Sequence, residues 1–253
     1  MQISAKQLRQ MASDVDDQHH EAMRDFGEEA AELHLDASRG SRRSFMAKTG
    51  AVGVGAALLS AGGGLTPFGR LVGVAGAAGL TDTVIAGYAQ SVELAAVAAY
   101  TAAAPALKGD VLAVAQLFAS HHKDHAAAFG SVAGKDARPT ANPKVVAAVK
   151  PQLDSIAAAV AAKKDATNQT LEFARTLENQ AAYTYAAALT ALQDPAYAAA
   201  TSTILPIEAQ HATVLAVALG KGAADLFPTG AFEAASFGDG SNPKAGLDPA
   251  VFA

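Results

Sequence analysis

One spacing is written twice between residues 81 and 220, and it constrains the fold more than anything else in the chain. Glu93 is followed seven residues later by Tyr100, and the stretch beyond carries His122-Lys123-Asp124-His125. Glu178 is followed seven residues later by Tyr185, and the stretch beyond carries Glu208-Ala209-Gln210-His211. Glu93 to His125 is 32 residues, and Glu178 to His211 is 33. Two unrelated segments would not be expected to agree this closely. The chain therefore reads as two copies of one unit related by a pseudo-twofold.

Each copy has the punctuation of a helical hairpin. The first hairpin predicts helices over about 81–104 and 109–132. Thr81 or Asp82 stands near the first start, Pro105 at its end, Asp110 opens the second helix and Gly134 closes it. The second hairpin predicts helices over about 166–192 and 195–219, the latter opened by Asp194-Pro195 and closed by Gly220. Asp or Thr starts, Pro in the first turn and Gly stops are what helix ends require. Pro206 falls inside the last helix and predicts a kink there. Alanine is abundant, and it loses no side-chain entropy in a helix while letting neighbouring helices approach.

Within each hairpin the loop is short, so its helices are antiparallel neighbours. Between the hairpins lie about thirty residues, 134–165, with Pro139, Pro143, Pro151 and a short helix. Two antiparallel hairpins joined by one long crossover give an all-α four-helix bundle of ferritin-like connectivity over 78–227. Residues 228–253 are rich in Gly, Pro, Asp and Asn and read as an extended C-terminal tail.

The repeated residues have a chemical logic. Positions three apart on a helix share a face, so Glu208 and His211 project together, as do His122 and His125. A bundle core is a poor solvent for charge, and a buried unpaired carboxylate is costly. Two divalent cations would neutralise such carboxylates and accept imidazole nitrogens. Taken singly, each of these residues would be an ordinary surface or core residue; as a register-matched set they read as a metal site. His121 and Asp124 share another face of the same helix, about 100° away, and stand as alternatives. Tyr100 and Tyr185 read as core aromatics with a hydroxyl partner rather than redox residues, and Glu172 reads as surface.

Residues 81–220 resemble a ferritin-like domain, similar to the exported bacterial ferritin-like and desiccation-related proteins. The resemblance implies that Glu93 and Glu178 are the carboxylates of the first and third bundle helices. Glu208 and His211 match the fourth-helix Glu-x-x-His motif, and His125 matches the second-helix histidine. It further implies two transition-metal ions, iron or manganese first. His122 departs from the pattern, which has Glu there. The resulting set of three Glu and three His carries less negative charge, is richer in nitrogen, and also suits zinc or copper.

The N-terminal third carries a different signal. Ser41-Arg42-Arg43-Ser44-Phe45-Met46-Ala47-Lys48 resembles the signal of the bacterial twin-arginine (Tat) export pathway, with Met46 where Leu is usual and Lys48 one place late. Uncharged Gly, Ala and Val residues follow over 49–69. The resemblance implies recognition of Arg42 and Arg43 by the Tat translocase and export of a folded, cofactor-loaded protein to the periplasm or cell envelope. Residues 41–77 then have two fates, cleavage after Ala75-Gly76-Ala77 or retention of 49–69 as a membrane anchor. Residues 1–40 are charged, with Leu8, Met11, Val15, Ala22, Phe26, Ala30 and Leu33 at helical spacing. They read first as a soluble, marginal amphipathic helix and second as a contact for a chaperone or partner.

Composition excludes several alternatives. The chain has no Cys, so disulfides, thiolate metal sites and a Cys nucleophile are ruled out. Its formal charge is −5 and it has no basic patch, which argues against nucleic acid. No phosphate loop, nucleophile elbow or dinucleotide fingerprint occurs. The expected function is oxygen or peroxide chemistry at a dimetal centre. A non-catalytic metal-binding or stress-protection protein, and a tethered structural envelope protein, are the alternatives.

Overall fold

The computed structural model describes residues 3–38 and 81–222, and these are helical with short connections. The helices are α1 (Ala5–Ser38), α2 (Asp82–Ala103), α3 (Gly109–Ala133), α4 (Pro143–Ala161), α5 (Thr167–Ala191) and α6 (Pro195–Ala218). Among the described residues there is no strand, and no helix is long and apolar enough to cross a membrane. The twin-arginine motif, the 49–69 segment, the Ala75–Ala77 pattern and the 228–253 tail lie outside the described residues.

The hairpins fold as their punctuation predicts. Thr81 Oγ1 accepts the Val84 amide and caps α2. The Asp82 carboxylate reaches across to accept the Gln193 and Asp194 amides, at 3.0 and 2.7 Å, tying the α5–α6 turn to the start of α2. Asp194 caps α6 ahead of Pro195, satisfying an amide that a helix start leaves free. Gly134 follows α3 at φ +56°, a backbone that other residues adopt at a cost. Asp110 does not cap α3: it pairs with Arg9 of α1 at 2.8 Å, leaving Lys108 at the cap position without a side-chain bond. α6 continues as one helix through Pro206.

Pairing of α2 with α3 is antiparallel. Tyr100 meets His122, Glu93 meets His125, and Gly87 meets Asp136, so one number falls as the other rises. A β-carbon at Gly87 would overlap the Asp136 carbonyl, so this close approach requires glycine.

Two helices depart from the sequence expectation. The crossover helix is not short: α4 runs 19 residues, capped by Asn142, which accepts the Lys144 and Val145 amides. Ile156, Leu153 and Val149 pack with Ala99, Ala103 and Phe173, and this apolar stripe sustains the extra turns. α1 is not a marginal helix standing apart. It runs 34 residues and packs against α3 and α6 as a fifth long helix on the bundle. Leu8, Ala12, Val15, His19, Ala22, Phe26 and Ala30 are buried along one stripe.

Two apolar clusters bracket the middle of the bundle. One gathers Leu8, Val15, Tyr100, Phe118, Ile207 and Leu215, and the other Phe26, Ala89, Phe129, Tyr185 and Ile204. The polar residues of the repeat lie in the layer between them. Burial on both sides excludes water from that layer, which sets its electrostatics.

Candidate metal centre

α2, α3, α5 and α6 each direct part of the repeat into this layer. Glu93, His122, His125, Glu178, Glu208 and His211 are all at most 1 % exposed. They form two overlapping groups whose ligating atoms lie within 4.8 Å of one another. One is Glu93, His122, His125 and Glu208; the other is His122, Glu178, Glu208 and His211. The structure thus brings together all six residues singled out in the sequence. Glu208 and His122 belong to both groups, and they occupy equivalent positions under the pseudo-twofold.

The contacts cross between hairpins. His122 Nδ1 lies 2.6 Å from Glu93 Oε2, and its Nε2 lies 3.2 Å from Glu178 Oε1. One imidazole therefore spans the carboxylates of α2 and α5. His211 Nδ1 lies 3.2 Å from Glu178 Oε2 and 3.3 Å from Glu208 Oε2. Tyr100 of the first hairpin donates its hydroxyl to Glu178 of the second, and Tyr185 of the second donates to Glu93 of the first. The tyrosines are core aromatics, as expected, and they also orient the two carboxylates. Phe118 stacks on His211 with ring centroids 4.0 Å apart and holds that ring from the side.

Glu208 and His125 behave differently. His125 Nδ1 lies 2.8 Å from Glu208 Oε1, close enough for an ion pair. Yet neither His125 nitrogen and neither Glu208 oxygen makes a hydrogen bond. The atoms are near one another but out of line for N–H···O. Side chains that converge on a common point, rather than on each other, have this geometry. A divalent cation at that point would satisfy them, so the donor set fits a metal.

Mutual charge compensation runs through the cluster. Burial alone would push the Glu93 carboxyl up, but His122 and His125 bring it down to about 2. Glu178 is likewise drawn well below the carboxylate range, against burial, by His122 and His211. Burial opposes charge on His122, yet Glu178, Glu208 and Glu93 raise it well above an ordinary histidine. Against the same opposition, Glu208 and Glu93 raise His125 to about 9. Burial and the facing carboxylates push the Tyr100 and Tyr185 hydroxyls up, keeping them donors.

A cavity of about 500 Å³ runs between α2, α4 and α5 and reaches the cluster at Glu93 and His122. Val145, Ile156, Phe173 and Leu177 contribute apolar wall, and Gln152, Gln169 and Glu172 contribute polar groups. Glu172 is half-exposed, as expected, and pairs with Lys221 at 2.7 Å.

The alternatives on α3 lie at the edge of this layer or outside it. His121 is buried between α1 and the cluster, with Nε2 3.0 Å from Asp16 Oδ1 and Nδ1 2.9 Å from His211 Nε2. Asp124 is largely exposed and lies 3.9 Å from His19. Neither belongs to the two central groups. The sequence reading missed Asp16 and His19. Their signal was present: His19 stands in register within the apolar stripe of α1, where a polar residue needs a reason.

No curated protein and no solved structure matches the chain. Residues 81–221 match the family model described as the ferritin-like domain, more than half of the chain. That match spans α2 through α6 and every residue of the central cluster, and by it the chain belongs to the ferritin-like domain family.

Proposed function

We propose that this chain is an exported ferritin-like protein that binds two transition-metal ions, iron or manganese first, for redox chemistry with oxygen or peroxide. The observation that carries the reading is the pair of overlapping Glu/His groups, with Glu208 and His125 converging without bonding each other. Glu93, His125 and Glu208 would hold one ion, Glu178, His211 and Glu208 the other, with Glu208 between them. When bound, the ions would supply the electrons that reduce the oxidant. Tyr100 and Tyr185 fix the carboxylate orientations by donating to Glu178 and Glu93. The surrounding apolar clusters exclude bulk water, while the cavity at Glu93 and His122 offers a small oxidant a route inward.

His122 favours a second reading, a non-catalytic metal-binding or stress-protection protein. A carboxylate in its place could bridge two ions through two oxygens, whereas a neutral imidazole has one lone pair to give. The same residue already places positive charge between Glu93 and Glu178, where a cation would otherwise act.

Elemental analysis of the exported protein beside a Glu178→Ala/His211→Ala variant separates these readings. Near-stoichiometric iron or manganese, lost in the variant, supports redox chemistry. Zinc or copper alone moves the assignment to metal binding. No metal in either protein overturns both and leaves a structural envelope protein. Export, through the Tat translocase at Arg42 and Arg43, rests on the motif at 41–48, and the 49–69 segment would serve as cleaved signal or tether. The same motif supports a kinship with exported desiccation-related members, and cell fractionation tests it.

A further inference from the structure

α1 brings a second set of metal-ligating side chains to the bundle, outside the central layer. His19 is 1 % exposed, and neither of its ring nitrogens has a hydrogen-bond partner among the described residues. A buried polar side chain left this way bears its desolvation uncompensated, so its position calls for a ligand. Its ring stacks on His121 of α3, centroids 3.8 Å apart and nearly parallel. Asp16, three residues earlier on α1, places Oδ1 3.0 Å from His121 Nε2. The ligating atoms of Asp16, His19 and His121 all lie within 4.8 Å of one another.

We propose that Asp16, His19 and His121 form a separate site for one divalent transition-metal ion between α1 and α3. Two imidazole nitrogens and one carboxylate oxygen suit a borderline ion of the zinc type, with a fourth position for water. Metal–donor bonds of about 2.0–2.2 Å hold donors roughly 3.3–3.6 Å apart around a tetrahedral ion. The Asp16–His121 pair is already near that spacing, and His19, stacked on His121, would tilt out of the stack to reach the same ion. Asp124, 3.9 Å from His19 Nε2, adds negative charge at the rim.

Asp16 and His19 lie outside the residues that match the ferritin-like family, so α1 supplies this site rather than the shared domain. Asp16 is partly exposed, giving the ion a way in from solvent. On the inner side, His121 Nδ1 lies 2.9 Å from His211 Nε2. The site therefore stands one hydrogen bond from the central cluster.

Zinc titration of the chelator-stripped full chain tests the proposal, with bound zinc counted by equilibrium dialysis. Three proteins are compared: the wild type, Asp16→Asn/His19→Gln, and Glu93→Gln/Glu178→Gln. The α1 variant should bind one equivalent fewer than the wild type. The central variant should keep one tight equivalent, and adding Asp16→Asn/His19→Gln to it should remove that one. Asp16→Asn alone changes only a half-exposed side chain and keeps the fold, and it should weaken that equivalent more than about tenfold. Equal zinc in the wild type and the α1 variant overturns the proposal, as does a central variant that binds none. Failure of the central centre looks different: the Glu93/Glu178 variant then matches the wild type, while the α1 variant still loses its equivalent.

Discussion

At the scale of the residue, protonation sets what the metal-free cluster can tolerate. His125 is raised to about 9 in the fold, above an ordinary histidine. A raised group contributes stability that is complete below its unfolded pKa and lost as pH climbs through the folded one. The metal-free protein should therefore lose stability between about pH 6.5 and 9. Burial, with the neighbouring histidines, lowers His19 and His121 to about 2, so they resist protons that the unfolded chain accepts below about 6.5. Stability should fall on that side too, giving a maximum near pH 6.5. Glu93, held at about 2, keeps its full contribution above about 4.5 and loses it progressively as pH falls from there to about 2. Thermal unfolding from pH 4 to 10 in chelator checks this. Saturating metal should flatten the alkaline limb, because the ligand nitrogens then exchange protons for the ion. A metal-free melting temperature that stays level from pH 6.5 to 9 would remove His125 from this role.

At the scale of the element, α1 is the helix whose standing changes the picture. Phe26 is 2 % exposed and meets Phe129 edge-on at 5.6 Å. Truncating a buried phenylalanine costs about 3–5 kcal/mol when its surroundings cannot collapse. Phe26→Ala should therefore lower the unfolding midpoint of the whole bundle, in a single transition, when followed by urea denaturation. If α1 were an appendage, the bundle transition would stay put and only a minor early phase would move. The helix was legible in the sequence as a stripe of Leu8, Val15, Ala22 and Phe26. Its seat was not, because an amphipathic stripe specifies that a face is covered and leaves open by what. The same holds for α4: its prolines suggested a short helix, while Pro143 at a start and the packing of Ile156 and Leu153 allowed 19 residues.

At the scale of the whole molecule, the proposed twin-arginine route would link folding to location. The bundle brings ionisable groups from five helices into buried layers, and their arrangement exists only once the helices have docked. A pathway that carries folded proteins would preserve metal loaded before export. With Arg42→Lys and Arg43→Lys together, the protein should remain in the cytoplasm with its metal content intact, read by fractionation and elemental analysis of each compartment. Unchanged envelope localisation would rule out the twin-arginine route.

The repeat of Glu, Tyr and His at matched spacing, read with the helix punctuation and the short loops, was enough to specify two helical hairpins, their antiparallel pairing and six residues for the bundle interior. Helical periodicity is local, and a spacing of three or seven residues places side chains on one face whatever surrounds them. The crosswise bonds from Tyr100 to Glu178 and from Tyr185 to Glu93 needed the tertiary structure, because each joins residues of different hairpins. So did the meeting of Asp16 and His19 with His121, more than a hundred residues apart along the chain. Those contacts depend on how helix axes pack and rotate against one another, which the sum of many weak side-chain contacts decides and no single spacing encodes.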